Sequence, residues 1–265
     1  MECNLDIFPY PDRDILSSYT HHHTLIYDML ASRGCNSNCT FCASHSFRKQ
    51  PGPQVRIRTL PNIIDEIQFL VKNYHAKYIA FIDDTFGDLL GNNESYFRSF
   101  LHELDRRKIN VQFQFNLRSE NINENTVQIF KKMLYKGLDS IFIGFETGND
   151  DDLKLYGKRA NLQINMQTVK LLNQNSIRYR IGFIMFNPYS TLDRLKKNLA
   201  FLRLCQNIFT PNLMTSQLNL LNGTALLTKV RKENLLIYNQ DDNSFDSEYP
   251  YYFVDPVSYT HLNYD

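Results

Sequence analysis

The 265-residue chain has no tryptophan and only five cysteines. It has no run of about 20 apolar residues, the length needed to span a bilayer, so no membrane association is expected. No lysine or arginine run stands out, and the formal net charge is +1. The electrostatic footprint of a nucleic-acid or anionic-membrane binder is therefore missing. None of the ten glycines forms G-x-G-x-x-G, which disfavours a nicotinamide or flavin dehydrogenase. The opening MECNLDIFPYPDRD lacks the basic start and apolar core of a secretion signal, and a cytoplasmic location is the expectation. An odd number of cysteines, three of them crowded together, argues against a disulfide framework. Cys3 and Cys205 stand alone, the latter as a helix-packing residue. With 43% apolar and 22% charged residues, the chain has the composition of a globular protein with a sizeable core.

What is present is a repeat of short apolar runs: 25–31, 78–83, 111–117, 140–146, 179–186 and 216–221. Bulky, mostly unalternating runs suit strands covered on both faces, as in parallel sheets. Amphipathic helices lie between them. After Pro61, a good first-turn residue, Ile63, Ile64, Ile67, Leu70, Val71 and Tyr74 make one apolar stripe. Val127, Phe130, Met133 and Leu134 do the same before Gly137, a helix stop. Leu192, Leu195, Leu199 and Leu202 form a later stripe. Strand then helix, repeated every thirty to forty residues, is a series of βα units. Six strands leave open a partial barrel or a doubly wound sheet, and in both ligands sit at the carboxyl ends of the strands. The sixteen tyrosines and nineteen phenylalanines are mostly expected in the core. The His21-His22-His23 triplet cannot converge on one face and reads as an exposed turn. From about Asn239 the chain turns polar and aromatic, and 257–262 (VSYTHL) looks like a translated sequencing adaptor, so the natural chain is expected to continue.

Residues 31–42 read ASRGCNSNCTFC. Cys35, Cys39 and Cys42 fall within eight residues, just after the first expected strand. Three soft thiolates favour zinc or an iron–sulfur cluster. His45 could complete a Cys3His zinc site. A cysteine nucleophile needs one thiol and a base rather than three thiols in a row. A cluster with three protein ligands leaves one iron open for a substrate or cofactor.

That spacing, with Phe41 before the last cysteine, resembles the signature of the radical SAM superfamily. VRIRTLPNIIDEIQFL, FIDDTF, GFETG and GFIMFNPYSTLDRL are similar, in order, to segments of the Elp3/MiaB-type domain, over roughly residues 24–235. LDIFPYPDRDIL resembles the connector that follows a cobalamin-binding domain in the B12-dependent branch. The resemblance implies an α/β fold, a partial (β/α)6 TIM-like barrel, with residues 1–23 as connector, 24–235 as barrel and 236–265 as irregular tail. It implies that Cys35, Cys39 and Cys42 hold a [4Fe–4S] cluster whose open iron takes S-adenosylmethionine. Reductive cleavage would then give a 5′-deoxyadenosyl radical that abstracts hydrogen from a substrate. The implied partners are that unidentified substrate and a reductant such as flavodoxin or ferredoxin, and cobalamin is a further implied cofactor.

The resemblance also nominates cofactor-binding positions. Asp83 and Asp84 would face the SAM ammonium, with a capping role open for Asp84. Glu146, followed by Gly148, would lie near the ribose, or else pair with an arginine such as Arg118. Gly182 would line the adenine. Where relatives have Gly-x-Pro-Gly-Glu-Thr, this chain has Phe186-Asn187-Pro188-Tyr189-Ser190-Thr191, a bulkier loop. Asn222-Gly223-Thr224 is similar to the last strand motif of the family. Arg56 and Arg58 brace the loop or bind an anion. A cobalamin-dependent methyl transfer or rearrangement, and a zinc-stabilised barrel with a binding role only, are the alternatives.

Overall fold

A computed structural model describes residues 4–15, 25–44, 53–87, 93–205, 210–237 and 249–255. Cys3, the histidine triplet, His45 and 257–262 fall outside these. Five strands form one sheet: β1 (Ile26–Met29), β4 (Tyr78–Phe81), β5 (Gln112–Leu117), β6 (Leu138–Glu146) and β7 (Tyr179–Phe183), in the order β1-β4-β5-β6-β7. The β1–β4, β4–β5 and β5–β6 pairs are parallel. A second, two-stranded antiparallel ribbon joins β2 (Ser32–Arg33) to β3 (Arg56–Ile57). Helices α1 (Leu60–Tyr74), α2 (Asn93–Arg106), α3 (Glu124–Leu134), α4 (Asp150–Leu155) and α5 (Leu162–Gln174) make the crossovers. After β7 come α6 (Leu192–Leu204), α7 (Pro211–Thr215) and α8 (Ala225–Lys232).

The expected sixth strand is reduced to one parallel bridge, Phe186 with Gln217. The expectation of strands covered on both faces holds in β4, where Ile79, Ala80 and Phe81 are buried in succession, and fails in β5. In β5 the burial alternates, with Phe113, Phe115 and Leu117 buried and Gln112, Gln114 and Asn116 not. One face is covered and the other is polar, so the run obeys the period of two of a strand with one wet face.

The chain divides into two compact units: Met1–Asn36, Pro51–Ile143 and Leu171–Arg180 in the first; Ser37–Gln50, Gly144–Lys170 and Ile181–Asp265 in the second. The first is built on phenylalanines. Phe86, just past β4, stacks on Phe115 at 4.9 Å and meets Phe81 and Phe100 at 4.5 and 5.4 Å. Offset and edge contacts of this kind add about 0.5–1.5 kcal/mol per pair beyond burial. They also fix the turn Ile82–Thr85 that joins β4 to Phe86. On α1, Ile63, Ile64, Ile67 and Leu70 are wholly buried, each burial stabilising by about 1.5–3 kcal/mol.

The first unit also buries charge. Glu66 on α1 is 1% exposed and pairs with both Arg13 (3.1 Å) and Arg58 (2.5 Å). Arg13 donates to the Asp28 carbonyl and Arg58 to the Leu30 carbonyl. Two guanidiniums thus cover the outer edge of β1, tied down by one carboxylate. Arg58 is a brace, as one of the two sequence readings had it. A cleft of about 190 Å³ opens beside this edge, lined in part by Phe8, Tyr10, Arg33, Arg58 and Ile82, and none of the candidate cluster or SAM residues lines it.

The core of the second unit gathers Tyr156, Ile184, Leu218, Leu220, Leu226, Leu227 and Val230. Phe201 of α6 packs there against Phe145 and Phe183, with ring centroids 5.4 and 6.1 Å apart. No helix among the described residues is long and apolar enough to cross a membrane.

Replacing Glu66 with alanine leaves the buried Arg13 and the half-buried Arg58 without their carboxylate. The expected loss is about 3–5 kcal/mol in urea unfolding. A loss below about 1 kcal/mol would mean that the carboxylate does not hold this edge.

Candidate functional site

The cysteine loop starts at a fixed corner. Asp83, buried at the end of β4, accepts hydrogen bonds from the Ala31 amide (3.1 Å) and the Ser32 hydroxyl (2.5 Å). Its own carbonyl takes the Asn116 side-chain amide at 2.9 Å. Gly34 follows at φ 94°, and a Cβ there would lie 2.0 Å from the Gln54 carbonyl. Only glycine permits both that backbone and that approach. Next comes Cys35, buried, with Arg118 Nη1 3.7 Å and Thr85 Oγ1 3.9 Å from its sulfur. Arg118, at the end of β5, also meets Glu120 (3.2 Å) and Asn121 (3.3 Å) through Nε.

The later part of the loop belongs to the second unit. Cys39 and Cys42 are half-buried, and the Cys42 amide donates to the Cys39 carbonyl, closing a tight turn. Thr40, between them, uses every polar group it has. Its amide donates to the Tyr156 carbonyl (2.9 Å), its hydroxyl to the Leu155 carbonyl (2.7 Å), and its carbonyl accepts the Leu226 amide (2.9 Å). Phe41 sets its ring edge-on to Tyr156 at 5.3 Å. Tyr156 is fully buried, and its hydroxyl accepts the Asn187 side-chain amide at 2.9 Å. Asn187 also organises the turn that relatives build with glycine: its side chain accepts the Tyr189 amide, and its amide donates to Ser190.

Glu146 closes β6 in the left-handed region, φ 67°. Few non-glycine residues sit there, and those that do are held by their surroundings. Its holder is Lys158, whose Nζ is 3.3 Å from the carboxylate and 2.9 Å from the Gly144 carbonyl. The partner is therefore a lysine twelve residues on. Gly148 lies against α6, where a Cβ would stand 2.5 Å from that of Phe201. Asn198 of the same helix accepts the Gly148 amide and the Thr147 hydroxyl, both at 2.8 Å. Gly182 is half-buried in β7, and Asp84 is exposed in the turn after β4. Arg56 pairs with Arg33 in the ribbon. Asn222-Gly223-Thr224 forms the turn into α8, with Thr224 as its cap.

Sequence reasoning passed over Thr40, Thr85, Tyr156 and Lys158. Thr40 carried one signal, its place inside the cysteine motif. The others show no periodicity or spacing to reveal them.

The donor set can be tested against the groups considered for it. Among the described residues no cysteine is in a disulfide, and no three His, Cys, Asp or Glu side chains gather as they would for one metal ion. Soft thiolate donors of this kind are the chemistry that an iron–sulfur cluster takes.

Comparison with known proteins agrees. The Radical SAM superfamily model matches residues 29–202, and the chain belongs to that superfamily, whose members use a [4Fe–4S] cluster and S-adenosylmethionine. It is 30% identical over 217 residues to 4′-phospho-dehydrooxetanocin synthase of Priestia megaterium, covering 77% of this chain and 29% of that protein. An uncharacterized methyltransferase of Pyrococcus horikoshii is 26% identical, covering 75% of this chain and 41% of that one. Among solved structures, the cobalamin-dependent S-adenosylmethionine radical enzyme OxsB, with aqua-cobalamin and S-adenosylmethionine bound, superposes with a TM-score of 0.72. It is 24% identical over 86% of this chain and 39% of that one. The chain thus spans well under half the length of these relatives. The α/β fold with its parallel sheet is that of the partial TIM-like barrel of the family, and such a protein is an enzyme.

Burial pushes the Asp83 carboxyl up to about 6, against the pull of its hydrogen bonds from Ser32 and Ala31. The folded state holds this proton more tightly than the unfolded chain. Its stabilising effect is complete below about pH 4 and is lost as pH rises through 6. Asp83→Asn cannot ionise. The stability of the wild type relative to that variant should fall by about 2.4 kcal/mol between pH 4 and pH 7, at 1.36 kcal/mol per pK unit. Urea unfolding at both pH values measures it, and a constant difference would show that Asp83 is not shifted.

Proposed function

We propose that Cys35, Cys39 and Cys42 ligate a [4Fe–4S] cluster, and that the chain performs radical SAM chemistry on it. The observation that carries this reading is three cysteines outside any disulfide, in Cys-x3-Cys-x2-Cys spacing inside the matched stretch. The bound groups would supply reductive cleavage of S-adenosylmethionine to a 5′-deoxyadenosyl radical, which takes hydrogen from the substrate. The chain's own part is to hold, orient and shield. Gly34 and Thr40 fix the backbone from which the thiols project. Phe41, on Tyr156, covers one side of the loop. The Asp83 carboxylate is committed to Ala31 and Ser32, so a contact with the SAM ammonium falls to backbone carbonyls of that turn and to the exposed Asp84. Glu146, held by Lys158, and Gly182 are assigned to the ribose and adenine. Electrons would come from a flavodoxin or ferredoxin.

A second reading has a specific observation behind it, the aqua-cobalamin bound by OxsB. On that reading the chain works with cobalamin in a methyl transfer or rearrangement. A visible cobalamin spectrum retained by the protein after gel filtration would support it.

The first experiment is EPR on anaerobically reconstituted, dithionite-reduced protein, with and without S-adenosylmethionine. A [4Fe–4S]⁺ signal that shifts on addition is expected. A colourless protein with one tightly bound zinc would replace this reading with the zinc-stabilised barrel. Alanine at Cys35, Cys39 or Cys42 should each abolish iron binding. Alanine at Cys205 should leave iron content unchanged, because that thiol is buried at the end of α6 and points to the Phe201 carbonyl at 3.6 Å. Iron loss in the Cys205 variant would overturn the ligand assignment.

A further inference from the structure

We infer that Arg118 is a positioning residue that sets the reduction potential of the cluster, by donating an N–H···S hydrogen bond to the Cys35 sulfur. The inference rests on the proposed role of Cys35. Three observations carry it. Arg118 Nη1 lies 3.7 Å from that sulfur, within hydrogen-bond reach for so large an acceptor. Both residues are buried, Cys35 and Arg118 each 9% exposed, so solvent screens the interaction little. The guanidinium is also held in direction, because Nε is engaged by Glu120 and Asn121 while Nη1 points to sulfur.

The other polar neighbour cannot play this part as well. Thr85 Oγ1 stands at 3.9 Å, and its one hydroxyl proton goes to the Asp84 carbonyl at 2.8 Å. A thiolate has no proton to give it in return. Of these two side chains Arg118 is the better donor, and it carries a full positive charge that deprotonation cannot remove.

The physical consequence has a definite sign. One-electron reduction adds a negative charge to the cluster and its thiolates. A fixed cation and hydrogen bond at one sulfur stabilise the reduced form more than the oxidised form, and so raise the potential. Glu120, beside the same guanidinium, works against it. The two residues form a pair with opposed effects on one observable.

The test is a redox titration followed by EPR, on wild type, Arg118→Gln, Arg118→Lys and Glu120→Gln, with iron and sulfide content measured on each. At a fixed solution potential the reduced-to-oxidised ratio should fall about tenfold in Arg118→Gln, a shift of about 59 mV for one electron. It should fall less in Arg118→Lys, which keeps the charge but not the fork, and rise in Glu120→Gln. An unchanged ratio in Arg118→Gln overturns the inference. So does loss of the cluster from both arginine variants with normal thermal unfolding, which would make Arg118 a holder of the loop rather than a tuner. If the wild type itself takes up no cluster, the proposed function has failed first, and its iron and sulfide content tells that failure from a failure of the inference.

Discussion

Asp83 takes two hydrogen bonds from the corner where the chain leaves β1, from the Ala31 amide and the Ser32 hydroxyl. The direction of everything downstream of that corner depends on them. Ser32 and Arg33 enter the ribbon with β3, Gly34 passes under the Gln54 carbonyl, and Cys35 arrives beside Arg118. Asp83 is in turn held from the core. Asn116 takes its carbonyl, and Phe86, three residues on, is locked among Phe81, Phe100 and Phe115. The aromatic core of the first unit therefore reaches the cysteine loop through one buried carboxylate. A buried carboxylate is expensive unless hydrogen-bonded. That it stands here, with its proton affinity raised by burial, marks the corner as a place where geometry outweighs stability.

The second half of the loop is fixed by different means. Cys39 and Cys42 are held through Thr40, whose amide, hydroxyl and carbonyl all bond to backbone groups of the second unit. A side chain with one short hydroxyl can do this only where α4 ends and α8 begins close to the loop. The Thr40 amide bonds the carbonyl of Tyr156, whose ring carries Phe41 and whose hydroxyl accepts from Asn187. The residues between the cysteines are therefore as constrained as the cysteines themselves. Asn187 also explains how the following loop does without the glycines of its relatives: side-chain bonds to its own turn replace backbone freedom.

Much of this was legible in the sequence. The five sheet strands and the helices α1, α3 and α6 fall on apolar runs and stripes that sequence alone shows, and the thiol loop announces itself by spacing. What failed has physical reasons. The run 216–221 has the apolar content of a strand, yet Ser216 spends its carbonyl on the Met185 and Phe186 amides together, and pairing goes little further. Adjacent carboxylates at Asp83 and Asp84 look like one feature, but consecutive residues at a strand end point opposite ways, so one is buried and one exposed. Glu146 finds Lys158 only because the helix α4 and the turn at Gly157 bring the chain back. No local pattern encodes that return.

The treatment of β1 follows from the same logic of partial closure. An open sheet edge leaves backbone groups unpaired and invites association with other chains. Here the edge carbonyls of Asp28 and Leu30 are met by Arg13 and Arg58, and Glu66 neutralises part of their charge. A hydrophobic cover could not bond those carbonyls, and an unpaired arginine would not stay buried. The triad does both at once. It also makes the segment before the first strand part of the first unit, since Arg13 comes from that segment. The PYPDR stretch is thus bound to the sheet by the chemistry of the edge it covers, and cutting it away would strip Arg13 from the Asp28 carbonyl and leave Glu66 with Arg58 alone.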